Sequence, residues 1–76
     1  MLTDPIVKAV QAAIISLLFH DPGAGRRLSD LKIAVATELD DVLRLEGGLL
    51  LVCRERVKKC TSMELRTLLQ RAVTAN

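Results

Sequence analysis

Aromatic residues are nearly missing from this chain: Phe19 stands alone, without a single Tyr or Trp. The core must therefore be built from Leu, Val, Ile, Ala and Met, a composition that suits helices packed on helices. Cysteine is equally sparse. Cys53 and Cys60 are too few and too far apart for a disulfide framework or a zinc site. Both are read as reduced thiols, and Cys53, in an apolar stretch, as a small buried hydrophobe. The longest apolar run, residues 12–19, is interrupted by Ser16 and is far too short to span a bilayer, and no cleavable signal opens the chain. A soluble, intracellular protein with no membrane partner is expected.

Catalytic patterns are lacking too. His20 is the only histidine and has no chemical partner, which leaves it as a helix-end cap. Asp40-Asp41 has no accompanying acid/base set, and Gly23, Gly25, Gly47 and Gly48 match no nucleotide-binding signature. The sequence predicts no enzyme, no metal, no cofactor and no small-molecule substrate.

What the chain does have is apolar surface. Half of its 76 residues are hydrophobic, yet a chain of this length hides only roughly 60% of the surface it exposes when unfolded. A single domain over residues 1–76 is therefore expected to leave an apolar face for another chain. The net charge of +2 is mildly basic, so the placement of cations matters more than their total.

Asp4 and Pro5 form a helix start, with the carboxylate capping and the proline at the first helical position. A first helix over residues 5–19 gathers Ile6, Val10, Ala13, Ile14, Leu17 and Leu18 on one face, and Asp21-Pro22-Gly23-Ala24-Gly25 ends it in a loop that also holds Arg26 and Arg27. Ser29 caps a second, long helix over residues 29–56, whose seam runs through Leu31, Val35, Leu39, Val42, Leu43, Leu49, Val52 and Cys53. Gly47-Gly48 interrupts it at a cost of roughly 1 kcal/mol per glycine. A helix end, a close backbone approach and a strand across Leu49–Cys53 are the alternatives there. The strand is disfavoured, because the period on both sides is helical and no second strand is evident. Lys58-Lys59-Cys60 then forms a basic linker. Thr61 and Glu64 form a capping box for a last helix over residues 62–74, burying Leu65, Leu68, Leu69, Ala72 and Val73.

Short helix, long helix, short helix, joined by basic loops, is similar to the histone fold. Arg27-Leu28-Ser29 resembles the entry to its long helix, and the stretch from Val57 through Lys58-Lys59-Cys60-Thr61 to Leu65 resembles its second loop and third-helix start. Within that superfamily the chain is most similar to the centromere protein X family, on Phe19-His20-Asp21, Glu38-Leu39, Val42, Glu46-Gly47-Gly48 and Val52. The fold expected is thus all-α and histone-like, completed by a paired chain, either a second histone-fold protein or a second copy. The resemblance implies a dimer interface along the long helix at Leu39, Leu43, Gly47, Gly48 and Leu50. It also implies duplex-DNA binding in a chromatin, centromere or DNA-repair complex, with nuclear localisation.

In such a pairing Arg26, Arg27, Lys58 and Lys59 would face one phosphate backbone, giving salt-sensitive, non-sequence-specific binding. The same residues also read as ordinary solvated charges. The rival expectation is a small helical homodimer, viral, phage or bacterial, that engages a protein partner and no nucleic acid.

Overall fold

The computed structural model describes residues 4–75. The two ends of the chain fold as their local chemistry dictates. Helix α1 runs over Pro5–His20, its first turn capped by Asp4, whose carboxylate accepts from the Ile6 N–H at 2.9 Å. Ile6, Val10, Ala13, Ile14 and Leu17 form its buried stripe. At the other end the final helix spans Ser62–Ala75 and buries Leu65, Leu69 and Val73. Its capping box is reciprocal: the Thr61 N–H donates to Glu64 Oε1 at 3.0 Å, and the Glu64 N–H donates to Thr61 Oγ1 at 3.1 Å.

Between these ends the all-α, histone-like expectation is overturned. Asp21 closes α1 and opens a second helix at once, accepting from the Ala24 N–H at 3.3 Å, so α2 covers Pro22–Ser29 where a loop was expected. Pro22 supplies the fixed φ of a first helical residue. Gly25 lets α2 lie against α1, since a Cβ there would fall 2.7 Å from Leu18 Cδ2 and 2.8 Å from Leu18 Cα. Ser29 is not an N-cap; it ends α2, with its hydroxyl donating back to the Gly25 carbonyl at 2.8 Å.

The supposed long helix is a sheet. Strand β1 spans Lys32–Ala36, β2 Leu43–Glu46 and β3 Leu49–Cys53, in the order β1-β3-β2, with β1 parallel and β2 antiparallel to β3. Gly47 and Gly48 are the two central residues of the β2–β3 hairpin, at φ 51° and 82°. Positive φ at both positions is what a type I′ turn requires, and that turn matches the natural twist of two strands. A short helix, α3 over Arg54–Lys58, follows β3 directly, and α4 is the final helix at Ser62–Ala75.

Alternation along the strands sorts their side chains. Ile33, Leu50 and Leu45 share one cross-strand row, and Val35, Val52 and Leu43 another. These rows pack with the stripes of α1 and α4, with Ala24 and Leu28 of α2, and with Val57 of α3, into one core. Leu50 and Val52 are fully buried, and a leucine hidden this way contributes about 1.5–3 kcal/mol. The expected interface residues Leu43 and Leu50 are therefore in the chain's own core. Gly47 and Gly48 sit in the hairpin turn at positive φ, so there is no long helix for them to mark the middle of.

Candidate functional site

The core lies on one side of the sheet. On its other side, Lys32, Leu49 and Glu46 form one row across β1, β3 and β2, and Ala34, Leu51 and Arg44 form the next. Ala34, Leu49 and Leu51 stand outside the core. Leu49 is 38% exposed and Leu51 and Ala34 are half-buried, while Lys32, Arg44 and Glu46 are exposed at the two edges. The third row, Ala36 with Cys53, ends at the crossover of residues 37–42, where the Cys53 N–H donates to the Val42 carbonyl at 2.8 Å. The result is an apolar centre of Leu49, Leu51 and Ala34 with charged rims. Asp41 in the crossover lies 3.7 Å from Arg44 and partly offsets its charge.

The four cations expected to meet one phosphate backbone are split into two pairs. Arg26 and Arg27 are exposed on α2 beside Gly25, which touches Leu18 near the end of α1. Lys58 ends α3 and Lys59 is its C-cap, and the Lys58 charge is felt by Asp4 at the start of α1. Leu18 is fourteen residue steps along α1 from Asp4, a distance of about 21 Å. Lys58 also pairs with Glu55 at 3.8 Å. Leu39, the remaining expected interface residue, is half-buried in the crossover.

Beside that crossover is an open groove of about 880 Å³, lined among others by Glu38, Asp40, Glu55, Arg56, Lys59 and Cys60. Burial, and secondarily the Glu64 charge, raise the Cys60 thiol above its ordinary pKa of 9.0, and the thiol donates to the Arg56 carbonyl at 3.3 Å. A thiol held in its protonated form is a poor nucleophile. Among the described residues no three His, Cys, Asp or Glu side chains are placed to hold a metal ion, and no buried side-chain polar atom lacks a partner. No helix among them is long and apolar enough to cross a membrane.

The outer sheet face was missed at the sequence level, although its signal was there. Leu43-Arg44-Leu45-Glu46 alternates strictly and runs into Gly47-Gly48, the pattern of a strand entering a tight hairpin. Comparison with known proteins finds no matching family, no matching curated protein and no matching solved structure.

Proposed function

We propose that this protein is a small non-catalytic association module that pairs with a second copy of itself through the uncovered face of its sheet. The supporting observation is the row Lys32–Leu49–Glu46, which is complementary to itself. Strands β1 and β2 flank β3 at about 4.8 Å on either side. A two-fold axis parallel to β3 exchanges these positions when two copies stack face to face. Lys32 then stands over Glu46 of the second copy, and Glu46 over its Lys32, while Leu49 meets Leu49 and Leu51 meets Leu51. In the adjacent row Arg44 falls over the small side chain of Ala34, which leaves room for its stem. An isologous contact of this kind closes at two copies.

Sedimentation velocity over a concentration series tests the pairing. The wild type is expected to dimerise with rising concentration, and Leu51→Lys to stay monomeric with an unchanged circular dichroism spectrum, because Leu51 is outside the core. Lys32→Glu and Glu46→Lys should each weaken the dimer, and the double exchange should restore it. A monomer at every concentration, or a double exchange that fails to restore, overturns the proposal. Duplex-DNA binding that falls steeply with salt and disappears on charge reversal at Arg26, Arg27, Lys58 and Lys59 would favour the nucleic-acid expectation instead.

A further inference from the structure

A different surface carries a second kind of partner. The solvent side of α1 shows Lys8, Gln11, Ala12, Ile15 and Phe19, residues at three- and four-residue spacing and thus on one face. Ile15 is 56% exposed and Phe19 84%, so the only aromatic ring of the chain projects into water. Desolvating such a ring is favourable, and nothing within the described chain does it. Arg66 donates to Ser16 and Gln70 to Asp21, so α4 runs alongside α1 and leaves this face of α1 open.

Cations outnumber acids along these two helices. Residues 5–30 hold Lys8, Arg26 and Arg27 against two acids, Asp21 and Asp30, the C-cap of α2. Asp21 is already engaged: its two oxygens accept from the Ala24 N–H and from Gln70 Nε2. Arg26 follows the Gly25 that touches Leu18, and Phe19 follows Leu18. An exposed cation and the exposed ring thus each follow directly on a residue of that helix–helix contact. Six of the nine acids come at residue 38 and beyond.

From this arrangement we infer that the α1–α2 face docks on an anionic lipid bilayer, Phe19 and Ile15 entering the headgroup layer while Arg26, Arg27 and Lys8 meet lipid phosphates and carboxylates. Apolar side chains projecting from a helix face, with cations toward its two ends, suit a soft interface that admits a projecting ring without a preformed pocket. No spanning helix is needed. The face belongs to the helical layer, so the contact is independent of pairing through the sheet.

Phe19→Trp turns the position into its own probe, since the chain has no other Trp. Its emission should shift to the blue with phosphatidylcholine vesicles containing phosphatidylserine, lose the shift as salt rises, and stay unchanged with phosphatidylcholine alone. In co-sedimentation of otherwise wild-type protein, Arg26→Gln and Arg27→Gln should each lower partitioning roughly fivefold, and Phe19→Ser about tenfold. Leu51→Lys, on the opposite side of the sheet, should bind vesicles as before. Absence of a shift at low salt, or binding indifferent to these three substitutions, overturns the inference. So does a shift given by an acidic amphipathic peptide but by no vesicle, which would make the surface a protein-docking face.

Discussion

Arg54 grips Asp4 with both arms of its guanidinium, Nη1 donating to Oδ1 at 3.0 Å and Nη2 to Oδ2. This fork joins the start of α1 to the start of α3 across fifty residues of chain. Asp4 also caps α1, so one carboxylate fixes a helix end and a tertiary contact together.

The Arg54 hydrogen bond, then that of the Ile6 N–H, holds the Asp4 carboxyl below its ordinary pKa of 3.8. A carboxylate depressed in the folded state contributes stability that is present above the unfolded pKa and is lost as pH falls through the folded value. Asp4→Asn keeps the cap but removes the charge. Its melting temperature should lie below that of the wild type at neutral pH, and the gap should close as pH drops below about 3.8. A gap that persists unchanged in acid would show that the fork contributes nothing through its charge.

At Gly25 two effects of opposite sign compete. In an exposed helix Gly→Ala stabilises by about 1 kcal/mol, but here the new methyl would stand 2.8 Å from the Leu18 Cα, a backbone atom. Backbone yields poorly, and overpacking of this kind costs about 1–3 kcal/mol. Gly25→Ala is expected to lower stability in urea denaturation, whereas Gly23→Ala, with only an Asp21 oxygen at 3.8 Å, should be tolerated.

The hairpin gives a test that separates strand from helix by sign. In a continuous helix, Gly48→Ala would raise stability by about 1 kcal/mol. At φ 82° it places a side chain in left-handed backbone, at a cost of about 1–2 kcal/mol. Thermal unfolding of Gly48→Ala should therefore show a loss. Gly47→Asn, a residue common at the first position of type I′ turns, should be nearly neutral.

The same glycines show why the ends of the chain were legible and its middle was not. Asp4-Pro5 and Thr61 with Glu64 act through bonds to neighbours within a few residues, so α1, α4 and their caps follow from local sequence. In the middle, Leu31 and Val35 are four apart, a spacing that a helix and a strand both accept, and Ile33 between them decides for the strand. Leu45 does the same after Leu43. Leaving Ile33 and Leu45 outside the seam made period two look like period 3.6. The run Leu49-Leu50-Leu51-Val52 has no polar residue to reveal its faces, and its place as the central strand depends on parallel pairing with β1, a tertiary contact that no local pattern announces. The candidate surface shared that fate, since Lys32, Leu49 and Glu46 share a row only once the sheet exists.

Thiol chemistry follows burial in the same fold. Cys53 is 4% exposed beneath the crossover, while Cys60 is half-buried, donates to the Arg56 carbonyl and has its pKa raised above 9.0. The thiolate is the reactive form, so iodoacetamide should modify Cys60 slowly at neutral pH, with a rate midpoint above pH 9.0. Cys53 should react only as fast as the native structure opens. Glu64→Gln removes the lesser, repulsive contribution to the Cys60 shift while keeping a capping-box acceptor, so it should move the Cys60 midpoint down and leave Cys53 unchanged. Mass-resolved alkylation distinguishes the two sites. Rapid labelling of Cys53 in the folded protein would mean that residues 37–42 do not cover the end of β3.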